Sequence, residues 1–206
     1  MPLLFIAFIL TELNVAKEAM LNTTREYQDY SRDFDPHFKW QSFSKDSLLE
    51  LLNLYSQLLY AVDGFWYLAV QEKISNEQAL ACDLWVWDRM VRYELNRTTK
   101  LLNFQGNDVA TLMKAFQVSP WFSSIKSEIN MKNRNHAILS VTHCPTLEAL
   151  EKEGGERVES ICGGVEPIIM KKYAEYFNSN MQVKILKIPP RQSKQEICCQ
   201  WEFRVE

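Results

Sequence analysis

The amino-acid sequence predicts an α+β fold in which a helical N-terminal half packs on a C-terminal antiparallel sheet with interspersed helices. Leucines at helical spacing begin at Leu48, and helical patterns continue to about residue 118. Beyond residue 130 the hydrophobic period changes to the alternation typical of strands. Helices therefore come first and strands later, without the strict alternation of parallel α/β proteins, and this order favours an antiparallel sheet.

Three helices are predicted in the N-terminal half. Ser44 precedes an acidic first turn and a leucine run, which is a typical helix start. Ser75 and Gln78 form a capping box that opens the second helix. Pro120 ends the third, because proline disfavours helical backbone in the residue before it. The predicted helices cover residues 45–73, 76–102 and 108–118.

Three strands, two further helices and one loop are predicted in the C-terminal half. Pro145 ends the first strand and begins a short helix, and Pro167 lies in the first turn of another that extends to residue 178. Glycine pairs bracket a loop that contains Cys162. The predicted strands cover residues 137–143, 181–188 and 197–205.

Composition and charge limit the class of protein. The chain has 206 residues and a net charge of −3 without a block of like charge, so a nucleic-acid partner is not expected. Five cysteines without regular spacing favour a cytoplasmic location with free thiols. We expect residues 1–42 to be an extension and linker, and residues 43–206 to form a single α+β domain.

An apolar run at residues 2–10 leaves three interpretations open. It is far shorter than the roughly 20 residues that span a bilayer, so no membrane association is expected. The run is the start of a buried helix, a weak signal segment, or an extension from a misplaced start codon. No basic residue precedes it, which disfavours a signal peptide.

The thiols of the C-terminal half are the first candidate site. Cys144, Cys162 and Cys199 are separated in sequence but can meet when an antiparallel sheet folds, and a zinc ion is the cofactor that such a set could hold. Close Cys-x-x-Cys pairs are absent from the sequence. The alternatives are buried core cysteines, a ligand- or metal-binding cluster, and a catalytic thiol. Cys82 is expected in the core.

A second candidate site is the segment Asp63-Gly64-Phe65-Trp66. Glycine inside a helix costs roughly 1 kcal/mol relative to alanine, so Gly64 indicates close packing or a bend. Asp63 and Trp66 could line a ligand pocket, and the alternative is a helix crossing at Gly64 with Trp66 in the core. Trp201 shares the apolar face of the last strand with Cys199 and completes the ligand-binding candidates. Asp83, Asp88 and nearby arginines are expected to form a solvated, ion-paired face.

Two groups of motifs resemble a family of uncharacterised prokaryotic cytosolic proteins, whose C-terminal part is similar to L-2-amino-thiazoline-4-carboxylic acid hydrolase-like proteins. The resemblance covers residues 44–206 and implies the fold and a cytosolic address, but no reaction. Gln71 stands where the family pattern has a glutamate, and Glu72 is the neighbouring substitute. The motifs are Asp63 to Tyr67 with Glu77 to Leu80 and residues 85–97, then Cys144-Pro145, Cys162, Tyr173-Ala174, Pro189-Pro190 and Cys199 to Phe203.

Three functions are compatible with these residues. The first is a cytosolic domain that binds a small ligand or a metal at a cysteine-lined site. The second is a hydrolase acting on a small sulfur- or nitrogen-containing ring, with one of the cysteines as nucleophile and Asp63, Glu72 or His143 as acid or base. The third is a protein that forms homo-oligomers or binds a partner through its apolar helices.

Overall fold

A computed structural model of the chain describes residues 26–154 and 157–206. The apolar run at residues 2–10 lies outside the described residues. The chain divides into two compact units with the boundary after Leu54. Helices and strands are numbered in chain order. The helices are α1 (Lys45–Lys73), α2 (Asn76–Leu101), α3 (Val109–Val118), α4 (Pro145–Glu153) and α5 (Glu166–Phe177). The strands are β1 (Lys126–Asn133), β2 (His136–His143), β3 (Gln182–Lys187) and β4 (Cys199–Arg204).

The described part of the first unit contains a cluster of aromatic rings before α1. A backbone bridge joins Tyr27 to Phe43, and the ring of Phe38 lies 5.1 Å from that of Phe43 and 6.1 Å from that of Tyr27. The Ser47 hydroxyl donates to the Gln28 carbonyl at 2.8 Å, which joins this segment to the start of α1. The aromatic rings of this segment thus pack on one another, and the extension and linker at residues 1–42 stay a prediction.

The helix starts follow the local signals in the sequence. The Ser47 N–H donates to the Ser44 hydroxyl at 3.2 Å at the start of α1. The Gln78 N–H donates to the Ser75 hydroxyl at the start of α2, and the Thr111 N–H donates to the Asp108 carboxylate at the start of α3. These caps satisfy backbone donors that a helix leaves unpaired in its first turn. None of the described helices is long and apolar enough to cross a membrane.

The second unit contains a four-stranded antiparallel sheet in the order β1-β2-β4-β3. Leu139 of β2 pairs with Trp201 of β4, and Ala137 pairs with Phe203, so these four side chains share one buried face. Phe116 of α3 packs against this face, with its ring 5.7 Å from that of Phe203. The predicted α+β class with an antiparallel sheet is confirmed.

Strand β1 was not predicted. Its sequence, KSEINMKN, is mostly polar, and all but one of its residues are exposed because it is an edge strand. Ile129 alone is half-buried against the core, so this edge strand does not need the apolar alternation on which strand prediction depends. The sheet therefore has one strand more than predicted.

The segment around Cys162 was predicted as a loop and is helical instead. Residues Glu159–Val165 form a π-helix that leads directly into α5. Ile161, Cys162 and Val165 are buried on one side of it, so packing against the rest of the unit holds the segment helical despite its two glycines. This helical connection places Glu166 at the first position of α5.

Candidate functional site

A cavity of about 380 Å³ lies within the second unit, among α1, α2, α4, α5 and the π-helical segment. Its walls are largely apolar and aromatic. The exposed members of the lining mark its opening, and they are Phe65, Leu68, Ala149 and Glu153. The volume is in the range of small-molecule pockets, which span roughly 300–1,000 Å³. Among the other lining residues are Tyr60, Trp87, Trp121, Phe122, Ile169 and Tyr173.

One face of α1 forms a wall of this cavity. Tyr60, Asp63, Gly64 and Tyr67 all line it, at the three- and four-residue spacing that brings side chains onto one side of a helix. A Cβ atom built on Gly64 would meet no other atom within 4 Å. The predicted helix crossing at Gly64 is therefore wrong, and the missing side chain leaves space at the cavity wall instead.

Glu166 is the most enclosed carboxyl group of the site. It is half-buried, and it lines the cavity from the first position of α5. It has no hydrogen-bond or ion-pair partner among the described residues. Burial, reinforced by the negative charges of Asp83 and Asp63, raises the pKa of Glu166 to about 7.

Asp83 of α2 and Asp63 of α1 share the cavity with Glu166. Burial raises the pKa of Asp83 to about 7, and the charge of Asp63 adds to the increase. A hydrogen bond with the Trp87 side chain and the charge of Arg157 partly offset these effects. Burial also raises the pKa of Asp63. Each acid comes from a different helix, so only the folded chain brings the three together.

Arg157 is the basic residue in the lining. It forms an ion pair with Glu153 of α4, and its guanidinium carbon lies 4.4 Å from the centre of the Tyr67 ring. Its Nε is buried without a hydrogen-bond acceptor among the described residues. The guanidinium of Arg157 is thus already paired with Glu153 and in contact with the Tyr67 ring.

The thiols are close enough to interact electrostatically, but only Cys144 lines the cavity. Burial is the main cause that raises the pKa of Cys144 to about 11 and that of Cys199 to about 12. Burial also raises the pKa of Cys162 and of Cys198. The four groups are therefore neutral thiols at neutral pH, whereas nucleophiles and metal ligands are thiolates.

Metal binding by the cysteines gains no support from the geometry. Within residues 26–154 and 157–206, no group of three or more His, Cys, Asp or Glu side chains is arranged to hold a metal ion. Zinc ligation by Cys144, Cys162 and Cys199 stays a prediction.

We expect the four protonated thiols of the C-terminal half, of which two are buried and two are half-buried, to react slowly with iodoacetamide at pH 7.5. Cys82 is exposed on α2, so it should be alkylated at least about tenfold faster than the four thiols of the C-terminal half. Peptide mass spectrometry over a time course measures the five rates, and the denatured chain is the control in which all five should react readily. Alkylation of Cys144 as fast as that of Cys82 would contradict the neutral thiol and support a cysteine nucleophile.

The structure places two of the predicted site residues at the cavity and four elsewhere. Asp63 and Cys144 line the cavity, whereas Trp66, Cys162, Cys199 and Trp201 are not part of its lining. Trp66 is 64% exposed on the surface of α1. Trp201 is 1% exposed on the buried face of the sheet.

Two predictions of burial are wrong. Cys82 is exposed rather than in the core. Trp66, the proposed core residue of the helix crossing, is exposed as well. Cys198, which precedes β4, is 1% exposed and more buried than Cys199, because the strand begins at Cys199 and its alternation does not extend back to Cys198.

Sequence reasoning missed three cavity residues. Asp83 was assigned to a solvated face, but it turns inward with Trp87 one helical turn later. Glu166 and Arg157 carried no signal, since an acid in a first helical turn and an arginine beside glycines are both common on surfaces. The neighbouring Asp88 and Arg89 do form the expected exposed ion pair.

The fold and the site together define an α+β domain with an aromatic cavity that contains three carboxyl groups of raised pKa. The chain belongs to a family of unknown function, DUF6125, whose model matches residues 41–205. No curated protein and no solved structure matches the chain.

Proposed function

We propose that the protein binds a small, predominantly apolar molecule in the cavity of the second unit. The observation that carries the proposal is a preformed space of about 380 Å³ with aromatic walls and a few polar groups directed at it. Tyr60, Trp87 and Trp121 provide flat apolar surface, and Asp63, Asp83 and Glu166 provide the polar groups. The residues that line an empty space lack dispersion contacts on one side, and desolvated carboxyl groups lack polar partners. A bound molecule with an apolar body would supply the contacts, and a polar group on it would supply a partner for a carboxyl group.

Filling the cavity from α1 tests this proposal. Gly64→Leu places a side chain in open space at the cavity wall and should weaken binding of the neutral fluorescent probe N-phenyl-1-naphthylamine by at least about tenfold. The variant should remain folded, because replacing a helical glycine by leucine favours the helix by several tenths of a kcal/mol. Probe emission, which rises in an apolar site, measures the affinity.

The matched control is Gly64→Ala, whose single methyl group meets no atom within 4 Å and should change the affinity by no more than about threefold. Thermal unfolding of both variants shows that they are folded. If Gly64→Leu binds the probe saturably and as tightly as the wild type does, the probe binds outside this cavity and the proposal is rejected.

A hydrolase is the second candidate, and the paired acids favour it. Asp83 and Glu166 line one cavity with pKa values of about 7, which suits an ionised carboxylate that activates water and a protonated carboxyl that donates to a leaving nitrogen. A neutral Cys144 thiol is the less suitable nucleophile. With 2-amino-thiazoline-4-carboxylate as the probe, ring opening followed by absorbance should fall by about 10²-fold or more in Asp83→Asn. No measurable ring opening by the wild type would remove this ring as a substrate.

The proposed oligomer rests on exposed apolar side chains of α1, among them Val62, Phe65 and Trp66. It stays a prediction, as does the cytoplasmic location.

A further inference from the structure

Three carboxyl groups without an ion-pair partner among the described residues share the cavity. Asp63, Asp83 and Glu166 come from α1, α2 and α5 and all line it. They are close enough to interact, because the charge of Asp63 acts on both of the others and that of Asp83 acts on Glu166. The three carboxyl groups therefore form one electrostatic unit, which we call the acid triad.

The acid triad has no ion-pair partner among the residues that the structure describes. Arg157 is the basic side chain in the lining, and it already pairs with Glu153 and stacks on Tyr67. Asp63 and Glu166 have no hydrogen-bond or ion-pair partner among the described residues, and Asp83 has the Trp87 side chain alone as a donor. An enclosed carboxylate without a partner is costly, so it is either protonated or paired with a cation.

Aromatic faces adjoin the acid triad in the same cavity. Tyr60, Trp87 and Trp121 all contribute to its walls, and the rings of Trp87 and Trp121 lie 4.8 Å apart. Aromatic faces attract ammonium groups through the negative charge of the ring face and also pack against apolar carbon. Carboxylates beside aromatic walls are the combination that recognises an ammonium group attached to an apolar body.

We propose that the ligand of this cavity is an organic cation, a protonated amine on an apolar or aromatic body, whose ammonium group pairs with the acid triad. This inference rests on the proposed function and adds the charge of the ligand to it. An anion would meet the three carboxyl groups of the acid triad and an arginine that is already paired with Glu153. A neutral molecule would leave the acid triad without an ion-pair partner.

Three naphthyl compounds of nearly the same shape separate the effect of the ligand's charge from that of its apolar surface. They are 1-naphthylmethylamine, 1-naphthalenemethanol and 1-naphthoate, and calorimetric titration at pH 7.5 measures the affinity of each. The amine should bind at least about tenfold more tightly than the alcohol, and the carboxylate should bind most weakly. We expect the affinity for the amine to fall by about tenfold in Glu166→Gln and in Asp83→Asn. The affinity for the alcohol should stay within about threefold of the wild-type value in both variants.

Asp88→Asn is the matched control, because Asp88 lies on the same helix as Asp83 but pairs with Lys172 on the surface. It should leave all three affinities unchanged, and the unfolding temperature of each variant reports folding. Equal binding of the amine and the alcohol to the wild type would overturn the cation inference and leave the proposed function standing. Binding of none of the probes would overturn both.

Discussion

Replacing Asp83 by Asn and Glu166 by Gln together is expected to raise the free energy of unfolding at pH 8 and to remove most of its pH dependence between pH 5 and 8. The pKa of each carboxyl is raised to about 7 in the folded chain, chiefly by burial, whereas it lies near 4 when the chain is unfolded. Between these values the folded state holds protons that the unfolded state releases. The free energy of unfolding therefore falls as the pH rises through this window and levels off above about 7.

The size of this effect follows from the pKa differences. One pKa unit corresponds to about 1.4 kcal/mol, and with allowance for partial exposure to the cavity we expect roughly 2 kcal/mol from each carboxyl group. Urea unfolding at pH 5, 6, 7 and 8 measures it in the wild type and in the double variant. Amides mimic the protonated acids, so the two proteins should be similar at pH 5 and diverge at pH 8.

The single variant Asp88→Asn is the control for this experiment. Asp88 is exposed and its pKa is lowered by Lys172, so its contribution to stability is lost only when the pH falls below about 4. It should retain the wild-type pH dependence between pH 5 and 8. A wild type that is equally stable at pH 5 and pH 8, or a double variant with the same slope, would show that the acid triad is not buried as described.

Trp201→Ala is expected to lower the free energy of unfolding by about 3–5 kcal/mol. Trp201 is 1% exposed in β4, opposite Leu139 of β2, and its indole N–H donates to the Cys199 sulfur at 3.2 Å. Its removal leaves a large space in the centre of the sheet's buried face, which the surrounding strands cannot close. Urea unfolding at constant pH measures the loss.

Two further variants distinguish a core role of Trp201 from the ligand-binding role that the sequence predicts. Trp66→Ala removes an exposed tryptophan of α1 and should change stability by less than about 0.5 kcal/mol. Trp201→Phe retains much of the buried volume and should leave naphthyl-probe affinity unchanged, because Trp201 does not line the cavity. A selective loss of binding in Trp201→Phe, with stability retained, would restore the ligand-binding role.

The elements with strong local signals were predictable from the sequence. Ser44, Ser75 and Asp108 begin their helices as the residue types at these positions indicate, because capping is an interaction within one turn. Alternating apolar residues identify β2 and β4, since each has one buried face. β1 gave no such signal, because a polar edge strand is held by its ladder with β2 rather than by burial.

The cavity was only partly predictable. Asp63 and Cys144 were both candidate site residues in the sequence, and both line the cavity. Gly64 beside Asp63 leaves space at the cavity wall on α1. Trp66 and Asp83 show the limit of this reasoning, because both lie on long helices whose apolar residues are not confined to one face. A weakly amphipathic helix does not reveal which side turns inward, and here Trp66 is exposed while Asp83 turns to the cavity.

The sequence by itself determined the α+β class, the starts of the main helices and the apolar faces of the two central strands, because these depend on local hydrogen bonding and on periodicity. Only the tertiary structure decided that Asp63, Asp83 and Glu166 meet in one cavity. These residues lie on three separate helices, and their raised pKa values arise from burial and from one another's charge. Electrostatic interaction depends on distance in space and on the surrounding dielectric, neither of which is encoded in residue spacing.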